Sequence, residues 1–151
     1  MKNYKIVDGS EGRKISFAIT TGLSEGYGDS AKIYSVEDVK SAYKEWVEAR
    51  AASKQPFITG SIFNGTVVYG WAGDNGSYGS GEEPSAEFRG EFSHLYGKNF
   101  VENEDLSKEA LNDLASFLGN KLGQTRVYVA LGDKNWVLQA EETATPTGET
   151  V

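Results

Sequence analysis

Aromatic and basic side chains gather around one glycine-rich stretch of the chain, between Tyr69 and Arg89. Tyr69 and Trp71 directly precede the stretch, Tyr78 lies within it, and Arg89 follows it. Aromatic rings stack on planar ligands, and one guanidinium binds a phosphate or a carboxylate through two parallel hydrogen bonds. The segment therefore predicts a binding site for a small, nucleotide-like anion, with Arg126 as a second anchor for the phosphate.

The same stretch carries glycines at 73, 76, 79 and 81, which would let the backbone close over a guest molecule. It lacks the lysine and the following serine or threonine of a phosphate-binding P-loop. Asp74, Glu82 and Glu83 do not have the alternating spacing of a calcium loop, so they are interpreted as a solvated acidic edge. We predict no metal site and no cofactor.

The chain contains one histidine, His94, and no cysteine. Thiolate catalysis, sulfur-ligated zinc and multi-histidine metal sites are therefore excluded, and no catalytic residue is assigned. His94 is a candidate proton carrier or ligand contact, with Glu87 or Glu91 as its acid/base partner. The alternative is a partly buried histidine whose hydrogen bonds are satisfied within the fold.

The other candidate residues also have structural interpretations. Glu87, Arg89 and Glu91 alternate along one predicted strand, so they can form a charged ladder on its surface. Tyr69 and Trp71 can equally belong to an interface between two copies of the chain.

Composition limits the functions that remain. The 151 residues carry 15 basic and 22 acidic side chains, for a net charge of −7. Such a charge disfavours general binding to nucleic acids, because their phosphate backbones are anionic. No segment reaches the roughly 20 apolar residues of a membrane span, and the N-terminus lacks the apolar run of a signal peptide. We expect a cytoplasmic protein that does not bind membranes.

Hydrophobic spacing and turn residues predict the elements that must position these side chains. Strands are predicted over 15–21, 57–63, 66–71, 85–96, 126–131 and 136–140, and helices over 35–52 and 106–122. Asn64-Gly65 is the preferred pair for a tight turn between the second and third strands. Residues 73–84 are predicted to form a mobile loop beside the aromatic residues.

The predicted order is β-α-β-β-β-α-β-β, which favours an α+β, ferredoxin-like two-layer sandwich with both helices on one face of a single sheet. Residues 1–140 form one domain in this interpretation, and 141–151 form a disordered tail. The face without helices is expected to carry large aromatic and charged residues: Tyr69, Trp71, Glu87, Arg89, Glu91 and Tyr128. Because an uncovered aromatic face meets a ligand or another subunit, we predict a homo-oligomer.

The chain also resembles a family of small bacterial α+β proteins of unknown function. The features that match are the first strand, its loop and the helix at Ser35; the strand from Phe57 toward Gly70-Trp71; Glu83-Pro84-Ser85; and 123–127 after the second helix. The resemblance implies the fold and no chemistry. PII-type signalling proteins are similar at the level of the fold, having a ferredoxin-like core with a mobile loop in a hairpin.

Three functions remain open at this point. The first is a non-enzymatic module that binds or sequesters a small ligand near residues 73–84. The second is a small enzyme with a site around His94 at a junction between subunits. The third is a protein-interaction subunit that uses the open face of the sheet. The first is our prediction, because no recognisable catalytic set is present.

Overall fold

A computed structural model describes residues 1–141 of the chain. It is a mixed α+β fold, built on a five-stranded sheet in which every neighbouring pair is antiparallel. The elements in chain order are β1 (Ile15–Gly22), β2 (Ser24–Glu25), β3 (Lys32–Ile33), α1 (Val36–Ala52), β4 (Ser61–Ala72), β5 (Tyr78–Phe92), α2 (Lys98–Glu102), α3 (Glu104–Lys121), β6 (Arg126–Leu131) and β7 (Lys134–Gln139). The α+β class predicted from the sequence is confirmed at this level.

The strands lie in the order β4-β5-β1-β6-β7, with β2 and β3 forming a separate short hairpin. Ile19 is opposite Phe88 on one side and Val129 on the other, so these apolar residues share one face of the sheet. That face packs against α1 and α3 through one cluster of buried residues that includes Trp46, Leu111 and Leu118. The helices thus cover one face, and the polar face remains open.

Both long helices begin at a residue whose side chain caps the first turn. Ser35 precedes α1, and its hydroxyl accepts a hydrogen bond from the backbone N–H of Asp38, whose side chain in turn accepts from the Ser35 N–H. Asn103 caps α3 through a 3.1 Å bond from the Leu106 N–H to its side-chain oxygen. The predicted helices at 35–52 and 106–122 therefore lie within about two residues of those observed. The short helix α2 was not predicted.

An ion pair connects the start of α3 to the start of β7. The ammonium of Lys134 lies 2.8 Å from a carboxylate oxygen of Glu104. The hydrogen bond and the opposite charge lower the pKa of the Glu104 carboxyl and raise the pKa of the Lys134 ammonium. The stability that this ion pair gives the folded protein is therefore lost as the pH falls through the lowered pKa of Glu104. It is also lost as the pH rises through the raised pKa of Lys134.

The hairpin differs from its prediction. Asn64-Gly65 does not form a turn but lies inside β4, opposite Ala86 and Ser85. The turn comes at the second Asn-Gly pair, Asn75-Gly76, where Gly76 has φ of 85°. Two predicted strands are therefore one strand, so the main sheet has five strands instead of the predicted six, while the short β2–β3 hairpin was not predicted.

The predicted mobile loop at 73–84 is also wrong, because most of it is strand. The Gly73 N–H donates to the Ser77 carbonyl at 2.7 Å, and the Asn75 side chain accepts from the Ser77 N–H and hydroxyl. These bonds close a tight turn at 73–77, and β5 then starts at Tyr78 rather than at residue 85. Glycines 79 and 81 are extended and lie beneath the rings of Trp71 and Tyr69 on β4. Aromatic rings that cover glycines across a sheet stabilise such strands.

Replacing the two Asn-Gly glycines separately tests this assignment. Gly76→Ala is expected to lower the free energy of unfolding by about 1–2 kcal/mol, because alanine is strained at positive φ. Gly65→Ala is expected to change it by about 0.5 kcal/mol or less, since Gly65 is extended and exposed. Urea denaturation of both variants measures the difference. A larger loss at Gly65 than at Gly76 would place the turn where the sequence suggested.

No helix among residues 1–141 is long and apolar enough to cross a membrane. The predicted disordered tail falls at 142–151, outside the described residues, apart from its first residue, Glu141.

Candidate functional site

The open face of the sheet carries the residues that the alternation pattern predicts. Glu87 is opposite Thr20 on β1 and Phe63 on β4, and Thr20 is opposite Tyr128 on β6. The same register gives this face its other charged and aromatic members, which are Tyr69, Trp71, Arg89 and Glu91. The face contains two separate hollows, one at each end of β1.

The hollow at the C-terminal end of β1 is a cavity of about 650 Å³, which we call the Gly22 cavity. Its lining combines glycines, acceptor groups, tyrosines and one arginine: Gly22, Gly26, Gly28, Glu82, Glu83, Gln124, Tyr27, Tyr69, Tyr128 and Arg126, with Ser24, Ala31, Ile33, Gly123, Thr125 and Gln139 completing it. A drug-sized ligand fits a cavity of this volume.

Gly22 makes room for the cavity by lacking a side chain. A Cβ at this position would lie 2.7 Å from Oε1 of Gln124 and 3.8 Å from Oε1 of Glu83. These two oxygens therefore converge on the Cα of Gly22, although the three residues are far apart in the sequence. Strand pairing brings them together, because β1 lies between β5 and β6.

Gln124 is fixed in one orientation by its own amide. Its Nε2 donates to the carbonyl of Ser24 at 3.0 Å and to the carbonyl of Leu122 at 2.9 Å. With both donors used on the backbone, Oε1 is presented toward Gly22 as an acceptor. Together with the Glu83 carboxylate, it forms an acceptor surface that suits a cationic or hydrogen-bond-donating group.

Aromatic rings and one cation complete the lining. Tyr69 lies across Gly81, with its hydroxyl 2.7 Å from where a Cβ of that glycine would be, and the side chain is half exposed. Tyr128 is also half exposed, on β6. Arg126 is the one basic residue among the described residues of the lining, and its Nε donates to Gln139 at 3.2 Å. No hydrogen bond from its terminal nitrogens is found within residues 1–141, and their geometry suits a carboxylate.

The structure brings only part of the predicted site together. Tyr69 and Arg126 both line the Gly22 cavity. Trp71 lies next to Tyr69, with ring centroids 6.4 Å apart, but it covers Gly79 farther out on the hairpin. Tyr78 begins β5 and is 84% exposed.

Arg89 and His94 lie away from the Gly22 cavity. Arg89 lines the second hollow, where its guanidinium is 4.2 Å from the ring centroid of Phe63 and 3.6 Å from Glu87. His94 follows the end of β5, which stops at Phe92 instead of continuing to residue 96, and its ring lies against Gly12. The Glu91 carboxylate, its suggested partner, forms a 2.8 Å ion pair with Lys14.

Sequence reasoning missed the residues that define the cavity. Gly22 lies one residue beyond the predicted first strand, Glu83 was interpreted as part of an acidic edge, and Gln124 and Tyr27 were given no role. The available signals were the carboxylate pair Glu82-Glu83 before Pro84, and the glycines of 22–34. Neither signal indicated that these segments meet. Among residues 1–141, no group of three or more side chains is arranged to hold a metal ion.

Comparison with known proteins gives a result for the fold only. No model of a known protein family matches the sequence, and no curated protein matches it. One solved structure is a phage SAM lyase in complex with S-methyl-5'-thioadenosine. Its alignment covers 92% of this chain and 97% of the lyase chain, with 19% identity and a TM-score of 0.59. A second is a phage SAM lyase in its apo state, whose alignment covers 94% of this chain and 99% of the lyase chain, with the same identity and TM-score.

This fold is shared with a phage SAM lyase. The finding overturns the prediction of a non-enzymatic sequestering module, because the proteins that share the architecture over nearly their whole length are enzymes by name. The prediction rested on the lack of a recognisable catalytic motif in the sequence, and the lack of such a motif does not exclude an enzyme. The methylthioadenosine in that lyase is compatible with the predicted small-molecule ligand.

Proposed function

We propose that this chain is an enzyme that cleaves S-adenosylmethionine, or a closely related adenosyl sulfonium compound, in the Gly22 cavity. The observation that carries the proposal is the lining of this cavity. The fixed amide oxygen of Gln124, the Glu83 carboxylate, tyrosine rings and a single arginine surround one space, within a fold shared with a phage SAM lyase.

The chemistry of the cavity complements each part of S-adenosylmethionine. Its adenine is planar and stacks on aromatic rings such as those of Tyr69 and Tyr128. Its sulfonium and ammonium groups are cationic, and carboxylate and amide oxygens attract them. Its carboxylate suits the guanidinium of Arg126. We assign Glu83 to the amino-acid part of the substrate, where its charge holds the ammonium group.

The proposed reaction needs little from the protein beyond holding the reacting atoms of the substrate in the right positions. S-methyl-5'-thioadenosine forms when the bond between the sulfonium sulfur and the γ-carbon breaks, and the sulfur keeps the electron pair. It leaves as a neutral thioether, so no acid has to protonate it. The substrate's own carboxylate supplies the new bond to the γ-carbon and closes a five-membered lactone. Holding these atoms in line is the kind of contribution that contacts from Glu83 and Arg126 can make.

Ligand binding tests the proposal without requiring turnover. Isothermal titration calorimetry with S-methyl-5'-thioadenosine is expected to give one site per chain. Adenosine 5'-monophosphate is the matched control, since it replaces the thioether by an anion that meets Glu82 and Glu83. We expect it to bind at least about tenfold more weakly, which corresponds to about 1.4 kcal/mol. Equal binding of the two, or no binding of the thioether, would count against the assignment of the cavity.

We further propose that the fold is ferredoxin-like, that residues 1–140 act as one domain, and that the protein is a homo-oligomer. The order β6-β1-β5-β4, with β7 added at one edge, supports the first of these. The one hydrophobic cluster that joins the sheet to α1 and α3 supports the second.

The β4–β5 hairpin supports an oligomer. Its outer part exposes Tyr69 and Trp71 by 49% and 53% on one face, and Val68 and Tyr78 by 71% and 84% on the other. Apolar side chains on both faces of a protruding hairpin are typical of a surface that another subunit covers. Multi-angle light scattering at a protein concentration of tens of micromolar is expected to give at least a dimer, because modest interfaces persist at such concentrations. A monomer at that concentration would contradict this part of the proposal.

A further inference from the structure

The segment between β2 and β3 presents an exposed tyrosine at the rim of the Gly22 cavity. Tyr27 is 95% exposed, although an aromatic ring gains free energy from leaving water. It lines the cavity together with Gly26, Gly28 and Ala31 of the same segment. We call residues 26–31 the Tyr27 loop.

The base of the Tyr27 loop is fixed to the rest of the protein. The Tyr34 hydroxyl donates to the Glu25 carboxylate at 2.8 Å, and the Tyr34 N–H donates to the Leu23 carbonyl at 2.7 Å. The Leu23 N–H donates to the carbonyl of Pro84 on β5 at 3.0 Å. A further bond runs from Gln124 to the Ser24 carbonyl at 3.0 Å. The loop therefore leaves the sheet at a defined place, beside Glu83 and Gln124.

The tip of the loop is held differently. Its hydrogen bonds within the described chain are internal: the Ala31 N–H to the Gly28 carbonyl at 3.2 Å, and the Ser30 hydroxyl to the Tyr27 carbonyl at 3.3 Å. Gly26 and Gly28 flank Tyr27 with φ of 90° and 70°, in the left-handed region that other residues rarely adopt. A fixed base with a glycine on each side of one aromatic residue allows the tip to reorient while the sheet stays in place.

We propose that Tyr27 closes over the nucleobase of the ligand and is a specificity-determining residue for aromatic groups in the Gly22 cavity. Tyr69 and Tyr128 lie on the sheet side of this cavity, and the Tyr27 loop forms its other rim. A nucleobase held between Tyr27 and the two sheet tyrosines is stacked on both of its faces. This inference rests on the proposed function and adds to it the part of the chain that selects the adenosyl group.

The test compares three variants in binding S-methyl-5'-thioadenosine. Tyr27→Ala is expected to weaken binding by about tenfold or more, the scale of a lost base–aromatic stack. Tyr27→Phe keeps the ring and is expected to bind within about twofold of the unmodified protein, since the stack is retained. Tyr4→Ala is the matched control, because Tyr4 is 91% exposed and lines none of the hollows described above.

Hydrogen–deuterium exchange supplies a second readout. The amides of 26–31 are expected to exchange more slowly when the thioether is bound, and this protection is expected to be lost in Tyr27→Ala. If the unmodified protein binds the thioether but Tyr27→Ala binds equally and the loop gains no protection, the inference is wrong and the proposed function stands. If the unmodified protein does not bind the thioether at all, the proposed function fails together with the inference.

Discussion

Glu83→Gln is expected to lower kcat/KM for cleavage of S-adenosylmethionine by about a hundredfold or more. A hundredfold loss corresponds to about 2.7 kcal/mol of transition-state stabilisation. Glutamine has nearly the same shape as glutamate, so the change removes a charge and leaves the volume of the cavity almost unaltered. The Glu83 carboxylate lies near Gly22, where it attracts the cationic amino-acid part of the proposed substrate. Without the charge, that part is free to rotate away from the geometry in which the carbon–sulfur bond breaks.

The stability of Glu83→Gln should remain close to that of the unmodified protein. Glu83 is exposed, and no ion pair found among residues 1–141 includes it. Glu91→Gln is the matched control, because Glu91 is on the same strand and the same face but lines the other hollow. The two variants change the net charge equally. Steady-state kinetics that show equal losses in both, or no loss in Glu83→Gln, would remove Glu83 from the site.

Gly22→Val is expected to weaken binding of S-methyl-5'-thioadenosine by about a hundredfold or more, which corresponds to about 2.7 kcal/mol. Its Cβ would already lie 2.7 Å from Oε1 of Gln124, and the valine methyl groups would extend farther into the cavity. Gln124 cannot easily move aside, because its amide is bonded to two backbone carbonyls. Gly22→Ala should produce a smaller loss in the same direction.

Gly70→Val is the control for this series. Gly70 is also a strand glycine, but a Cβ there would meet the Gly79 carbonyl at an ordinary 3.4 Å, and it lies outside the cavity. Calorimetry gives the binding of each variant, and thermal unfolding checks that each has folded. The site lies elsewhere if Gly22→Val folds and binds the thioether as tightly as Gly70→Val does.

The sequence predicted those elements whose signals are local. Both α1 and α3 were predicted from apolar residues at helical spacing, and the start of α1 also from its capping residue, Ser35, whereas the cap of α3, Asn103, was not recognised. The open face follows from alternation, since Glu87, Arg89 and Glu91 are polar while Phe88 and Phe92 are apolar. Such patterns report which way a side chain faces, and they do so without knowledge of the strand order.

The hairpin was misplaced because two Asn-Gly pairs compete for one turn. Both pairs have the residues that a tight turn prefers, and the local sequence does not rank them. The decision comes from the full length of β4 and β5, where Tyr69 and Trp71 cover glycines 81 and 79 across the sheet. Glycines that look like a flexible loop in the sequence are here the partners of aromatic rings.

The candidate site could be predicted only in part, for a related reason. Tyr69 and Arg126 were selected from their residue types, and both line the cavity. Gly22, Glu83 and Gln124 meet only because β1 lies between β5 and β6, and no pattern in the sequence reports that order. Residue type alone also does not indicate their roles. Gly22 acts by lacking a side chain, Glu83 is one of many surface carboxylates, and Gln124 acts through an amide that backbone hydrogen bonds hold in place.

Chromatography of S-adenosylmethionine incubated with the purified protein tests the central claim most directly. The account predicts that S-methyl-5'-thioadenosine appears in a one-to-one ratio with the substrate lost, and that Glu83→Gln prepared in the same way produces far less. S-adenosylhomocysteine should remain intact, because its sulfur is an uncharged thioether whose cleavage would expel a thiolate. S-adenosylmethionine that stays intact in the presence of micromolar folded protein, at a rate no faster than in buffer, would contradict the account.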